Sequence, residues 1–565
     1  MQEFLAVLYY PHELIRKLQP SLTEASARRD WVLRTLAMQF DVARVLARSY
    51  RRRDVRNLMP PQFQELFAEL LAETPTGGAG RGTAYTQEII AGLGAHGRDF
   101  EAVKAASRLV RNLSVKEIIV AGDLGDRGPR IDRVIDYLLR QPSVDLVWGN
   151  HDASWMGSCL GHEACILTVL RFSARYRRSA QLEEGYGIMT TPLEQLVREC
   201  YADDPAEHFV SKGTGYRDPL MVARMQKAIA IMQFKAEGQM FRRHPEWNLE
   251  HRNLLHRIDH AKGTVNIDGV EYPLQDRRLP TIDPTDPYAY SKEERFCLGR
   301  IKASFVASQR LWEQMSWLVK HGGMWLRRDD ALIFHACVPV EADGTPQKLM
   351  VDGKERSGRE LMDALEIVVR RAFRKGAEGI DADADWLYYL WGGPRSPLFG
   401  KDKLATFEGY FVADKKAKEE HKNPYFELIH DAEFTRKIGR LFGCGDDVLV
   451  VNGHVPVKVE KGEHPVKKGG NAVTIDGAFS EAYGDRGYTL ILAPEGIELA
   501  EHSKFESVEQ VISAGADMVP KVSTIRAYSK KRLVADTEEG TRLRGHIADL
   551  EKLVAAYEDG AAVEG

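Results

Sequence analysis

Four residues of metal-binding type each follow a short apolar run in this sequence. Asp123 ends EIIVAGD, Asn150 ends DLVWGN, His335 ends ALIFH and His454 ends VLVVNGH. Around the first, VAGDLGDRGPRID places a second aspartate and an arginine (Asp126, Arg127) between glycines. Next to the second, GNHD places His151 beside Asn150. Carboxylate, amide oxygen and imidazole together suit borderline divalent ions such as Mn²⁺, Fe²⁺, Zn²⁺ or Co²⁺ better than Ca²⁺. Taken singly, each residue has a plainer reading. Asp123 and Asp126 could cap the following helix, Gly149-Asn150 could be a turn, and either histidine could be a hydrogen-bonded core or edge residue. Taken together, GDxxDRG and then GNHD, each behind its own strand, form a specific signal.

The elements that must hold these residues are legible from periodicity. VKEIIVAGD reads as a buried strand with Ile118 to Val120 at its core. PRIDRVIDYLLRQP reads as a helix starting at Pro129, with Ile131, Val134, Ile135, Leu138 and Leu139 on one face. VDLVWGNHD reads as a second strand. Strand, helix, strand is a βαβ unit, which makes the strands parallel and puts both loops at one sheet edge. ALIFHACVP, DVLVVNGHVPV and NAVTIDGAFS read as later strands, and GYTLILAPEGIEL as a hairpin around Pro494 to Gly496. Sites in open α/β sheets collect at the carboxyl ends of strands, so all four residues could converge despite their separation in sequence.

The rest of the chain is mostly helical in pattern. Residues 1 to 73 and 85 to 113 carry helical spacing around a Gly/Thr-rich loop, TPTGGAGRGT. Residues 153 to 325 are helical apart from a hairpin in GTVNIDGVEYPL, with its Asp-Gly turn, and the proline-rich RRLPTIDPTDPYAY. Leu543, Ile547, Leu550 and Val554 predict a packed terminal helix. The expected organisation is an N-terminal helical region (1–113), a core from 114–155 and 330–500, a helical cap inserted at 156–329, and a helical C-terminal segment (501–565).

Composition sets bounds. With 44% hydrophobic and 28% charged residues the 565-residue chain is globular, and a net charge of -4 gives no electrostatic reason to expect nucleic acid or an anionic membrane. No apolar run approaches the roughly 20 residues that span a bilayer. The N-terminus lacks signal-peptide features, and the six scattered cysteines, without a CxxC pair, read as reduced thiols in a cytoplasm.

GDLGDRG and GNHD resemble the signatures of calcineurin-like metallophosphoesterases. HACVP is similar to the HGG-type motif of the phosphoprotein phosphatase branch, and NGHVPV to the later histidine motif. With WLYYLWGGPRSPLFGK, HKNPYF and IDGAFSEAYG, nearly the whole chain resembles the class III, manganese-linked bacterial fructose-1,6-bisphosphatases. The resemblance implies an α/β fold of the calcineurin-like type, a β-sandwich flanked by helices with a large helical insertion. It also implies hydrolysis of fructose 1,6-bisphosphate to fructose 6-phosphate and phosphate, a gluconeogenic step, at a binuclear Mn²⁺ site. Asp123 would bridge two ions, and Asn150, His335 and His454 would complete the second position. Attack would come directly from a metal-bound hydroxide, without a phosphoenzyme. His151 would protonate the leaving sugar oxygen, Asp126 would orient His151 and stabilise its cation, and Arg127 would clamp the phosphate.

The chain departs from that family in one large respect. No aspartate is followed two positions later by a histidine, so the D-x-H motif that supplies the first metal position is missing. The expectation is a start that falls after that strand, the other possibility being a shortened paralogue that binds a phospho-ligand without turnover. A missing strand would leave a slot or an open edge in the sheet. Gly125 stands where relatives carry a larger residue and is expected to loosen the loop bearing Asp126. Ala478 replaces a common glycine. The partner is a small sugar bisphosphate; a phosphatase for another metabolite or a phosphoprotein is the competing enzyme reading, and the cap argues against an open protein-substrate groove. Arg395, Lys401 and Lys467 are candidates for the sugar's second phosphate, each otherwise a solvated surface charge. Oligomeric state is not legible.

Overall fold

The computed structural model describes residues 2–72, 81–376, 382–459, 462–476, 487–502, 507–514 and 519–560. The first unit is helical. Helix α1 (Ala25–Ala47) buries Val32, Leu36 and Phe40, and α2 (Asp99–Ser114) buries Val103, Leu109 and Val110, all in one apolar cluster. The Gly/Thr-rich loop expected at 74–83 falls largely outside the described residues, and helix has resumed by Arg81, four residues before the expected start.

The βαβ unit forms as its periodicity predicts. Strands β1 (Ile118–Val120) and β2 (Val144–Val147) are parallel, with Ile118 opposite Val144 and Val120 opposite Leu146. Helix α3 (Ile131–Leu138) joins them. Three details differ from expectation. The helix begins at Ile131, not Pro129, with Arg130 at its N-cap and tied by its guanidinium to Asp132 and Glu184. Its buried face is Ile131, Ile135 and Leu138 plus the fully buried Asp132, while Val134 and Leu139 face solvent. Asp132 claims the inner face because Arg130 and Arg310 both neutralise it there. Strand β1 is half-buried, not buried: in the order β1-β2-β3, with β3 at Gly322–Gly323, it is an edge strand.

A second, four-stranded sheet contains β4 (Trp325–Arg328), β5 (Ala331–Phe334), β6 (Leu449–Asn452) and β7 (Ala472–Thr474), in the order β7-β6-β5-β4. Strands β5, β6 and β7 are parallel, and β4 is antiparallel to β5. A third sheet is antiparallel: β8 (Gly487–Ala493), β9 (Gly496–His502) and β10 (Lys521–Ala527). The hairpin turn before Gly496 is as expected. Strand β10 is not: the segment was expected to be helical, and Val522, Thr524 and Ile525 supply the β-branched residues that favour extension. Val147, Ile333, Leu449, Val451, Val473, Tyr488, Ile497 and Leu499 form one apolar cluster drawn from all three sheets. The architecture is mixed α/β with several small sheets.

Between β2 and β3 lie α4 (Asn150–Cys159), α5 (Glu163–Tyr176), α6 (Pro219–Arg243) and the hairpin Thr264–Ile267/Val270–Pro273. At its turn Asp268 and Gly269 both take left-handed φ values, 52° and 85°, as a two-residue hairpin requires. Helix α7 (Ala382–Gly392) is held by the buried Asp385, which pairs with His162 at 2.9 Å, His244 at 2.8 Å and Arg243 at 2.7 Å. Burial alone would raise that carboxyl, but the hydrogen bonds from His162, His244 and Arg243 outweigh it and hold it well below the usual range. The terminal helix α8 (Glu538–Glu558) exists, but its apolar stripe is not packed as expected: Ile547, Leu550 and Val554 are exposed. Among the described residues no helix is long and apolar enough to cross a membrane.

The reassigned face of α3 can be tested. Ile135→Ala, at a position with no exposure, should cost about 2–5 kcal/mol and lower the thermal unfolding midpoint. Val134→Ala should change stability by no more than about 0.5 kcal/mol. Equal effects would contradict the observed face.

Candidate functional site

Two glycines decide how the site is built. Gly122 (φ 91°) ends β1's loop against the loop after β2: a Cβ there would stand 2.7 Å from Gly149 N and 2.7 Å from His335 Nδ1. A Cβ on Gly149 would stand 2.1 Å from Asp123 Oδ1. Neither loop tolerates a side chain at that point, so GD and GN meet backbone to backbone. Asp123 itself adopts φ 60°, which turns its carboxylate back toward the second loop.

A residue that motif reading passed over locks this contact. Asp152, the last residue of GNHD, is fully buried and its Oδ2 accepts from Asp123 N (2.8 Å) and Gly149 N (2.9 Å). Its Oδ1 lies 3.4 Å from Gly125 N. Burial first, then the charge of Asp123, pushes the Asp152 carboxyl up to about 6. The signal was in the sequence: a carboxylate in the first turn of α4 faces unsatisfied backbone N–H groups. Gly125 is not a loosening element. A Cβ there would meet Trp155 Cδ1 at 2.4 Å, so the absent side chain is what lets Trp155 pack under the loop.

Around Asp123 the structure brings together two of the other metal-type side chains, His335 and His454. Ligand atoms of Asp123, His335 and His454 lie within 4.8 Å of one another, as do those of Asp123, Asp126 and His151. His335 and His454 follow β5 and β6, and their rings are 5.2 Å apart. Those loops are tied by Gly453 N donating to His335 O (2.7 Å) and Asn452 Nδ2 to Ala336 O (3.0 Å). His454 adopts φ 68°. Asn150 donates through Nδ2 to Trp391 O at 3.2 Å, which turns its Oδ1 the other way. His335 Nδ1 donates to Ala121 O at 2.9 Å, so Nε2 faces Asp123 Oδ2 at 3.2 Å.

Two buried atoms here have no hydrogen-bond partner among the described residues: Asn150 Oδ1 and His454 Nδ1. Buried polar atoms are seldom left so. Both present lone pairs of the kind a divalent cation takes, and the half-buried carboxylate of Asp123 adds the negative charge. The donor set fits a metal ion. Burial opposes the charge on Asp123, but His335, His151 and His454 outweigh it and hold the carboxyl well below its usual range. Burial lowers His335 while Asp123 overcomes this and takes it up to about 9; burial and the neighbouring His335 push His454 down to about 3.

The remaining expected residues flank this cluster. His151 Nε2 lies 3.0 Å from Asp126 Oδ1, and its backbone N donates to Asp123 Oδ1 at 2.9 Å. Burial lowers the imidazole, and Asp126 then Asp123 reverse this, so its pKa is raised. Edge-on contacts from Trp391 (4.7 Å) and Phe172 (5.0 Å) wall the ring in; neither was anticipated. Trp391 closes α7, the helix that Asp385 anchors. Arg127 stands 3.7 Å from Asp126 and 5.1 Å over the Tyr176 ring, and its backbone O accepts from Arg178 Nε at 2.7 Å. Ala478 lies outside the described residues.

Comparison with known proteins follows the same line. The chain matches the family described as Firmicute fructose-1,6-bisphosphatase over residues 1–559. A Clostridium acetobutylicum protein named fructose-1,6-bisphosphatase class 3 is 36% identical over 570 residues, covering 99% of this chain and 85% of that protein. Proteins of the same name from Fusobacterium nucleatum (38%; 99% and 87% covered) and Bacteroides fragilis (37%; 100% and 86% covered) are similarly close. No solved structure matches. The chain belongs to the Firmicute fructose-1,6-bisphosphatase family.

Proposed function

We propose that this protein hydrolyses fructose 1,6-bisphosphate to fructose 6-phosphate and phosphate in the cytoplasm. The observation that carries the reading is the cluster of Asp123, His335 and His454, whose ligand atoms lie within 4.8 Å of one another, together with the unpartnered buried atoms Asn150 Oδ1 and His454 Nδ1. These four would hold a divalent cation of the class their mixed oxygen and nitrogen donors suit, and the family resemblance points to Mn²⁺ among them. Such a cation, when bound, supplies charge neutralisation for phosphate oxygens and a more acidic water. A calcineurin-like arrangement, in which 114–155 and 330–500 form the core and 156–329 a cap, is part of the same proposal.

The chain's own residues do the rest. Arg127 presents a planar donor fork next to Asp126 and can hold phosphate oxygens while Tyr176 supports its guanidinium. Asp126 fixes one proton of the His151 imidazolium at Nε2. The other, at Nδ1, goes to the leaving sugar oxygen as the P–O bond breaks, leaving neutral imidazole. Trp391 and Phe172 exclude water from that ring, which strengthens its pairing with Asp126.

Recognition of the second phosphate divides the three earlier candidates. Arg395 is exposed and donates to Lys348 O. Lys401 stands 5.8 Å from the Phe399 ring, which itself is 6.3 Å from the His454 ring. An antiparallel bridge sets Lys401 opposite Lys422. Burial, then Lys458 and Lys401, push the Lys422 ammonium down; burial lowers Lys467 too, with Lys422 adding to it. Opposed like charges destabilise a strand pair. Here Glu420 offsets one of them at 2.8 Å. A second phosphate would offset the rest, so Lys401, Lys422 and Lys467 are assigned to it and Arg395 is not.

Phosphate release with Mn²⁺ should therefore favour fructose 1,6-bisphosphate over an aryl phosphate and a phosphopeptide by about tenfold to a hundredfold in kcat/KM, the size of one charge-assisted contact. Comparable rates on all three would contradict the sugar assignment. Lys422→Gln should raise KM for fructose 1,6-bisphosphate by about tenfold and leave aryl phosphate hydrolysis unchanged. An equal loss on both substrates would show that the lysines do not read the second phosphate.

A further inference from the structure

Helix α8 is an arm whose apolar side is left largely exposed by the described residues. Its root is anchored: Glu538 N donates to Asp329 Oδ1 (3.0 Å), Glu538 pairs with Arg327 (3.2 Å), and Thr537 caps Gly540 N. Beyond that turn, the side-chain hydrogen bonds and ion pairs of its described residues stay within the helix and the turn before it, as in Arg542–Glu539, Arg544 to Ala535 O and Lys552–Asp549. At 1.5 Å per residue the 21-residue helix is about 30 Å long. Helices in proteins are held chiefly by packing of an apolar face, which α8 lacks within one chain.

That face has a definite period. Leu543, Ile547, Leu550, Val554 and Tyr557 are spaced four, three, four, three, which is a heptad seam with Ile547 and Val554 at a and Leu543, Leu550 and Tyr557 at d. Ile547, Leu550 and Val554 are 55, 60 and 55% exposed, Tyr557 is 46% exposed, and Leu553 at g widens the stripe. β-branched residues at a with leucine at d favour two parallel strands. The flanks agree: in a parallel pair, g faces e of the next heptad on the other helix. That places Glu539 against Arg544 and His546 against Glu551, each a complementary couple, while the outer positions Thr541, Gly545, Ala548, Asp549, Lys552, Ala555 and Ala556 are small or polar.

We propose that α8 pairs with α8 of a second copy of this chain as a short parallel coiled coil, making the protein a dimer through its C-terminal arms. The occupant is a second copy because the seam is complementary to itself: each core layer meets the same layer, and both flanking couples form twice by the two-fold axis. The pairing covers a stripe that would otherwise be an aggregation risk.

Sedimentation equilibrium of the full chain should give twice 63.7 kDa. The double variant Ile547→Lys/Leu550→Lys, on an exposed face, should give the single mass with unchanged circular dichroism outside the loss of one helix and unchanged phosphatase activity. A wild-type monomer, or a double variant that keeps the dimer mass, would overturn the proposal. Direction is tested separately. Tyr557→Cys sits at the end of the seam, so oxidation with oxidised glutathione should link two chains through residue 557 in a parallel pair. A dimer that fails to cross-link there, but links when Tyr557→Cys chains are mixed with Leu543→Cys chains, would overturn the parallel arrangement.

Discussion

Everything at the candidate site depends on two loops touching at their backbones. Gly122 and Gly149 have no room for a Cβ, and the buried Asp152 carboxylate accepts from an N–H on each side of the contact. The clamp is short and satisfied, so it fixes where Asp123 points. Once Asp123 is aimed inward, the histidines after β5 and β6 have a buried negative charge to face. The parallel strands deliver them to it because their loops leave from the same edge.

A buried carboxylate is expensive unless its charge is answered. Here the answer is divided. His335 and His151 are pushed toward the charged form by Asp123 and Asp126, and His454 is pushed toward the neutral one. Asp123, His335 and His454 bring their ligand atoms within 4.8 Å of one another. A divalent cation, if bound there as proposed, would satisfy these atoms together. The same low-dielectric pocket, walled by Trp391 and Phe172, strengthens the His151–Asp126 pairing. The anchoring of α7 through Asp385 thus bears on chemistry some distance from Asp385 itself.

How much was legible follows from what kind of fact each feature is. Strand-end positions of Asp123, Asn150, His335 and His454 are local patterns, so the sequence shows them, and family motifs assign them. Their convergence is a consequence of parallel β5, β6 and the βαβ unit, also readable from order and period. The inner face of α3 was misread because apolar period alone cannot foresee that Arg130 and Arg310 draw Asp132 inside. The half-buried β1 reflects sheet order, which no local window contains. Strand β10 was overlooked because a short strand with only three β-branched residues, Val522, Thr524 and Ile525, sits between helical segments. Trp391 was missed because its ring contact with His151 spans a long sequence distance that its residue type does not announce, whereas Asp152 was legible as a first-turn carboxylate and was passed over.

The central claim is that Asp123, held by Asp152, together with Asn150, His335 and His454 forms a divalent-cation site. Calorimetric titration of Mn²⁺ into metal-stripped wild type, Asp123→Asn and Asp152→Ala tests it most directly. The account predicts binding by wild type, a loss of about tenfold to a hundredfold for Asp152→Ala, the usual cost of removing a residue that orients a ligand, and a larger loss for Asp123→Asn. Mn²⁺ affinity that is the same in all three proteins would contradict it.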